Sequence, residues 1–293
     1  MRMRRLAAIG AAAVFMLGLT ACGDDGGDDG GDVAENVTFA AGSTMDKLNK
    51  AGKIRIGTKF DQPGFGLKGL DGKPAGFDVE IGKLIAAELG LSADKIEWIE
   101  SVSKVREEYI EQDKVDLVVA TYTINDTRKG RVGFAGPYYV AGQALMVRKD
   151  DSSITGPDSF KAGDKKVCSV TGSTPSKEIE KYLANKTNQL VLFGGYAECA
   201  TALKNRQVDA VTTDNVILLG FVANDPTNFK LAGSTFTKEP YGIGVKKDDT
   251  TFRNWINDVL VKIAQDKRYE KAWKETAGKF DPAVPTAPPV DRY

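Results

Sequence analysis

The sequence predicts an α/β protein made of two similar halves, each a mainly parallel sheet flanked by helices. Three observations carry that prediction. Short apolar runs such as residues 115–120 suit strands buried on both faces. They alternate with segments whose apolar residues recur at helical spacing, the order that produces parallel sheets. The passages Lys114-Val-Asp-Leu-Val-Val-Ala-Thr121 and Gln207-Val-Asp-Ala-Val-Thr-Thr213 are near echoes, so the same grammar is used twice.

In the first half, residues 53–58 alternate with period two and read as a strand. The glycine-rich stretch through Gly64, Gly66, Gly69 and Asp71-Gly72 reads as loop and hairpin turn. Apolar residues then recur at Phe77, Ile81, Leu84, Ile85 and Leu89 and stop at Gly90, which is an amphipathic helix with its C-terminal cap. Residues 96–98 resume a strand, 102–112 have helical spacing through Val105, Tyr109 and Ile110, and 115–120 form the buried strand. After residues 143–147 the pattern restarts. Strands are predicted at 166–170, 190–193 and 208–213, with helices at 175–183, where Pro175 suits the first turn, and at 198–204. Closing helices cover 251–264 and 269–276, and the proline-rich tail 282–293 is expected to be disordered. Trp98, Trp255 and Trp273 sit at strand or helix spacing and are assigned to core or surface cover.

The chain opens Met1-Arg-Met-Arg-Arg5 and continues with an apolar run over 6–19, the order of a secretory signal and too short for a spanning helix. The run ends in Leu19-Thr20-Ala21-Cys22, which resembles the lipobox of bacterial lipoproteins. That makes 1–21 a leader and Cys22 the site of lipidation. Residues 23–32 hold only glycine and aspartate, with nothing apolar to bury and like charges that repel, so 22–43 is expected to be an extended, mobile tether. The run lacks the closing glutamate of a calcium loop.

Forty basic residues face forty acidic ones; removing Arg2, Arg4 and Arg5 with the leader leaves 37 against 40, a formal charge of minus three. No basic excess points to nucleic acid. Histidine is absent, which excludes Ser-His-Asp and Cys-His nucleophilic sites and every His-ligated metal centre. Once Cys22 carries lipid, Cys168 and Cys199 remain, and an exported domain with two cysteines is predicted to bridge them, a gain of roughly 3 kcal/mol.

Ligands of open α/β sheets sit beyond the carboxyl ends of the strands. Here those ends are Thr58-Lys59, residues 121–123, residues 171–174 and Thr213-Asp214. Around them run Gly76-Phe-Asp-Val-Glu80, Ala120-Thr-Tyr-Thr-Ile-Asn-Asp-Thr-Arg128, Phe134-Ala-Gly-Pro-Tyr-Tyr139, Thr213-Asp214 and Tyr241-Gly-Ile-Gly244. This series resembles the periplasmic-type amino-acid-binding proteins, solute-binding family 3, over about residues 53–278 and in family order. Gly57-Thr-Lys-Phe-Asp-Gln-Pro-Gly-Phe-Gly66 and Val167-Cys-Ser-Val-Thr-Gly-Ser-Thr-Pro175 resemble most the actinobacterial glutamate-binding lipoproteins. The resemblance implies a two-lobe, type II periplasmic binding protein fold. Lobe 1 would comprise 44–137 and 242–281, lobe 2 would comprise 143–236, and the hinge would lie at 138–142 and 237–241.

By the same resemblance, Arg128 grips the ligand α-carboxylate, a task its planar fork suits, with Thr121 and Thr123 beside it. Read without the family, Arg128 is a surface arginine in a basic turn. Asp214 pairs with the α-ammonium; the alternative is an N-cap for the helix that follows. Thr171, Ser173 and Thr174 complete the carboxylate cradle or serve as turn residues ahead of Pro175. Tyr241 touches the ligand or packs the hinge. Lys59 stands where many family members carry aspartate, and Arg106 lies where binders of acidic amino acids place an arginine. Glutamate or aspartate brings two carboxylates and one ammonium, so Arg128, Arg106 and Lys59 with Asp214 pair every buried charge.

The expected function is capture of glutamate or aspartate by lobe closure and delivery to the permease of an ABC transporter, as a monomer held outside the cell membrane by its lipid, with no cofactor, metal or nucleic acid. Three rivals remain at this stage: a binder of another amino acid, an enzyme using Asp61 or Asp214, and a tethered sensor on the same fold.

Overall fold

Two five-stranded sheets with one shared strand order organise the structure, a computed structural model that describes residues 33–293. The predicted leader, Cys22 and the acidic run to Asp32 lie outside the described residues. Among the described residues, no helix is long and apolar enough to cross a membrane.

Lobe 1 begins with helix α1 (Thr44–Ala51) and strand β1 (Ile54–Thr58), followed by a small three-stranded hairpin sheet of β2 (Asp61–Gln62), β3 (Gly66–Lys68) and β4 (Pro74–Ala75). Helix α2 (Phe77–Glu88), strand β5 (Ile96–Glu100), helix α3 (Arg106–Glu111), strand β6 (Leu117–Val118), helix α4 (Asp126–Lys129) and the long strand β7 (Val132–Ala141) follow. Lobe 2 contains β8 (Gln143–Arg148), β9 (Val167–Val170), α5 (Thr174–Glu178), α6 (Lys186–Gln189), β10 (Leu190–Phe193), α7 (Tyr196–Lys204), β11 (Ala210–Asp214), α8 (Asn215–Asn224) and β12 (Phe229–Ala232). Strand β13 (Glu239–Lys246) returns to lobe 1, where α9 (Thr250–Gln265) and α10 (Arg268–Glu275) close the fold.

The sheet orders are β5-β1-β6-β13-β7 and β10-β9-β11-β8-β12. In each, the first three strands are parallel and the last two add antiparallel pairs. The two echo passages noted in the sequence become β6 and β11, which occupy the same central place in their sheets. In lobe 1 the antiparallel pairs arise because β7 and β13 run side by side between the lobes, paired from Glu239 and Ala141 onward with an irregularity between Tyr241 and Ile243, and in lobe 2 they come from β8, which pairs with both β11 and β12.

Several predicted elements are shorter than their apolar runs. Residues 115–120 give only the two-residue β6, because the chain bends at Thr121, whose φ is 44°. Residues 102–112 start as a 3-10 turn, Ser103–Val105, before α3, and residues 175–183 pass from α5 into the 3-10 segment Ile179–Tyr182. Helix α2 buries more than its predicted stripe, since Val79, Ala86 and Ala87 are covered as well.

Aromatic rings fill the core beneath the crossing. Phe65, Phe77, Tyr139 and Trp273 meet edge-on or stacked at 5.2–6.3 Å between ring centres. Fully burying each such ring contributes roughly 1.5–3 kcal/mol. The predicted disulfide between Cys168 and Cys199 is present, joining β9 to α7 with Cα atoms 5.6 Å apart.

Two segments depart from expectation. Residues 33–43, read as tether, lie on lobe 1: Ala34 N donates to Ala87 O at 3.0 Å and the Phe39 ring packs on Trp255. The tail 282–293 has no regular secondary structure yet is docked. Ala287 and Val290 pack on the core, Asp291 N donates to Gly136 O at 2.7 Å, and Phe134 N donates to the Tyr293 hydroxyl at 3.0 Å. The Tyr293 ring centre lies 4.0 Å from Lys129 Nζ and 4.1 Å from the Arg253 guanidinium. Low sequence complexity hid two apolar anchors and one doubly cation-bound ring, enough to offset the ordering of an already stiff proline-rich segment.

Candidate functional site

The carboxyl ends of β1 and β6 face those of β9 and β11 across a narrow cleft between the lobes. Ser103, Arg106, Thr121 and Thr123 line it from lobe 1; Ser173, Thr174, Pro175, Tyr196, Thr213, Asp214 and Ile217 line it from lobe 2.

Lobe 1 brings cations. Arg106 opens α3 and is 2% exposed; its Nη1 donates to Ala120 O at 2.9 Å and its guanidinium lies 4.2 Å from the Tyr122 ring centre. The acceptor points that way because Thr121 adopts a left-handed conformation, which costs a β-branched residue about 1–2 kcal/mol. Two bonds hold that bend: Thr121 N donates to Asp78 Oδ2 at 2.7 Å, and its hydroxyl meets Gln62 Oε1 at 3.0 Å. Burial and the nearby Arg128 pull the Arg106 pKa down to about 10. Lys59 follows β1, is 3% exposed and donates from Nζ to Ser103 Oγ at 2.8 Å. Burial first, and then Arg106, lower its pKa to about 7. Neither cation has a carboxylate in ion-pair range among the described residues.

Arg128 sits differently. Its Nε donates to Glu107 Oε1 at 3.1 Å, Nη1 to Thr123 O at 2.6 Å and Thr174 Oγ1 at 3.1 Å, and Nη2 to Gly172 O at 3.1 Å. It therefore ties α4 to the 171–174 loop of the opposite lobe and already has an acid of its own. Counting three cations against Asp214 alone is thus incomplete. Glu107 offsets Arg128, so the surplus at the cleft is Lys59 and Arg106. Asp78, fully buried behind Thr121 and accepting from the Tyr138 hydroxyl at 2.6 Å, is pushed up to about pKa 7 by burial, which favours its neutral form.

Lobe 2 brings a carboxylate and hydroxyls. Asp214 ends β11 and is 2% exposed; Oδ2 accepts from the Tyr241 hydroxyl at 2.6 Å, and Oδ1 has no partner. It stands at the N-cap position of α8 but makes no side-chain cap bond. The cap alternative therefore does not account for it, and a buried carboxylate oxygen aimed into a cleft is an acceptor for a cation. Burial, and then Glu239, raise its pKa to about 7. Ser173 is half committed, since its Oγ caps α5 by accepting from Ser176 N at 3.1 Å.

Of the residues singled out by sequence, Arg106, Thr121, Thr123, Ser173, Thr174 and Asp214 converge on the cleft. Arg128 adjoins it through Thr123 and Thr174. Lys59 stands one hydrogen bond behind, through Ser103. Tyr241 is fully buried in the aromatic core and reaches the cleft through Asp214, and Thr171 is exposed. Sequence reasoning missed Ser103, Tyr196 and Ile217, which lie in the first turns after strand ends. Extending each strand end by one helical turn would have found them.

The chain matches the bacterial extracellular solute-binding proteins, family 3, over residues 54–278. It belongs to that family. Among family relatives, the glutamate-binding protein GluB of Corynebacterium efficiens is 38% identical over 98% of this chain and 95% of that protein. The ABC transporter glutamine-binding protein GlnH of Bacillus subtilis is also 38% identical, over 95% of this chain and 97% of that one. Among solved structures, an ancestral arginine-binding protein bound to glutamine is similar with a TM-score of 0.71 at 35% identity, covering 77% of this chain and 97% of the other.

Proposed function

We propose that this solute-binding protein captures an amino acid outside the cell membrane, glutamate in preference to its neutral analogue glutamine, by closing its lobes, and delivers it to an ABC permease. One observation carries the choice of ligand: Lys59 and Arg106 are buried without a carboxylate partner, opposite an Asp214 oxygen without a donor. A glutamate zwitterion supplies two carboxylates and one ammonium, so binding pairs charges that the protein otherwise keeps desolvated at a cost. Glutamine, with its single carboxylate on Arg128, would leave both Lys59 and Arg106 unmatched. Arg128, bonded to both lobes, holds the α-carboxylate while Thr123 and Thr174 contribute polar atoms, and Asp214 receives the ammonium. The names of the relatives divide between glutamate and glutamine, so these side chains carry the preference.

Delivery to a permease follows from family membership and from the sequence of the leader, with Cys22 as the lipid attachment. A Cys22→Ser variant released into the medium is the expected outcome; retention on cells would remove the anchor. Calorimetry over a panel of amino acids tests the ligand. Glutamate is expected to bind with a dissociation constant of about micromolar or tighter, and glutamine at least about tenfold more weakly, a difference of about 1.4 kcal/mol. Binding of a neutral or basic amino acid with no heat from glutamate would overturn the assignment.

A further inference from the structure

We infer that Asp61 of lobe 1 is a positioning residue for ligand capture, acting as the N-terminal cap of helix α7 in lobe 2 and joined to it as the lobes come together. The inference rests on the closing-lobe reading above.

Helix α7 begins after Gly195, which has no side chain with which to cap it. Its own Glu198 turns back to accept from Gly194 N and Gly195 N at 3.0 Å each, which leaves the amides of the first turn without an intrahelical acceptor. Asp61, on β2 in the other lobe and 135 positions away in sequence, supplies one: its Oδ2 accepts from Tyr196 N at 2.6 Å and lies 3.5 Å from Ala197 N. A carboxylate there satisfies orphan donors and meets the positive end of the helix dipole.

The fit depends on glycine. A Cβ at Gly195 would stand 2.7 Å from Asp61 Oδ2, so the residue that denies α7 a cap of its own is also the one that admits the cap from across the cleft. Two further close approaches lie along the same seam. A Cβ at Gly220 would come within 2.4 Å of Pro63 O, and one at Gly172 within 2.8 Å of the Lys104 Cα. Asp61 does not line the cleft, whereas α7 carries Tyr196, which does, and Cys199, which ties the helix to β9. A bond at the first turn of α7 therefore holds the closed lobes together and sets the Tyr196 ring without touching the solute.

The test compares release of glutamate, aspartate and glutamine from the full chain by stopped-flow tryptophan fluorescence in the parent, Asp61→Ala and Asp61→Asn. Asp61→Ala is expected to speed release of every ligand that binds by one common factor of about ten, with association within about twofold, the size of a charged hydrogen bond at a helix terminus. Asp61→Asn restores most of the loss, since an amide oxygen caps the same donors. Unchanged release rates overturn the inference, and so does a factor that differs among ligands, because that would mark direct contact with the solute. If the parent protein binds none of the three, the glutamate assignment falls and hydrogen exchange decides the latch alone. Asp61→Ala is then expected to speed exchange at the Tyr196 and Ala197 amides about tenfold while leaving Leu203 unchanged, and equal rates at those two amides in both proteins overturn it.

Discussion

The two sheets share a strand order, yet the same topological positions carry opposite chemistry. After β1 and β6, lobe 1 places Lys59 and holds Arg106 by carbonyls at the bend; after β9 and β11, lobe 2 places Ser173, Thr174 and Asp214. Neither face is complementary to a zwitterion by itself. Each holds a desolvated charge with hydrogen-bonded neighbours but no ion-pair partner among the described residues, in keeping with the displacement of the Lys59 and Asp214 pKa values toward 7 from opposite sides. One topology thus supplies two equivalent platforms, and a handful of strand-end residues give their facing ends opposite charge.

The largest expected effect tests the residue that bridges both faces. Arg128→Ala is expected to weaken binding of every amino acid by at least about a hundredfold in calorimetry, because several charged hydrogen bonds are lost together. It also leaves Glu107 buried without its cation, so the free protein should lose roughly 3 kcal/mol of unfolding free energy. Adding Glu107→Gln should recover stability but not binding. Near-normal affinity in Arg128→Ala would break the comparison.

Lys59→Met sharpens it. Glutamate affinity should fall about tenfold or more while glutamine holds or improves, since the apolar isostere removes only the side-chain carboxylate's partner. Equal losses for the two ligands would place Lys59 outside specificity.

Stability against pH reads the same charges without any solute. Lys59 titrates lower in the folded state than unfolded, so between about pH 7 and 10.5 the unfolded chain binds more protons and stability rises with pH. Asp78 and Asp214 titrate higher in the folded state, so between 3.8 and about 7 the folded chain binds more protons and stability falls as pH rises. Through these groups the free protein is expected to be least stable near pH 7, with limbs of up to about 1.4 kcal/mol per pH unit for each titrating group. Denaturant unfolding at pH 5, 7 and 9 checks this, and bound glutamate should flatten the alkaline limb by holding the Lys59 proton. A maximum at neutral pH would show that the buried charges are already paired.

The smallest effect on binding is expected from the docked tail. Deleting 287–293 should cost about 1–2 kcal/mol of stability through loss of Ala287, Val290 and the Tyr293 ring, yet leave glutamate affinity within about twofold. A larger loss of affinity would tie the tail to α4, whose Lys129 it touches.

Alternation of apolar runs was enough to read the three parallel strands of each sheet, though not β7, β12 or β13, and the strand-end rule was enough to read most of the cleft, because both depend on local order along the chain. What stayed hidden depends on distance across it. Glu107 looks like one more charge in a helical Glu-rich stretch until α3 turns it onto Arg128, 21 residues away. Asp78 looks like a helix-start acid until the fold buries it under Tyr138 and Thr121. Asp61 is an ordinary loop carboxylate until the lobes meet. The tail was misread for a related reason: composition reports the cost of ordering a segment, while its anchors are supplied by distant helices.

The cross-link between Cys168 and Cys199 lies wholly within lobe 2 and does not reach the strands β7 and β13 that run between the lobes. It welds the strand that leads into the 171–174 loop to the helix that carries Tyr196. The lobe 2 side of the cleft is therefore one covalently braced unit: the helix that Asp61 caps and the loop that meets Arg128 share a single cross-link. Reducing that bond is expected to loosen α7 against β9 while leaving the paired strands β7 and β13 as they are.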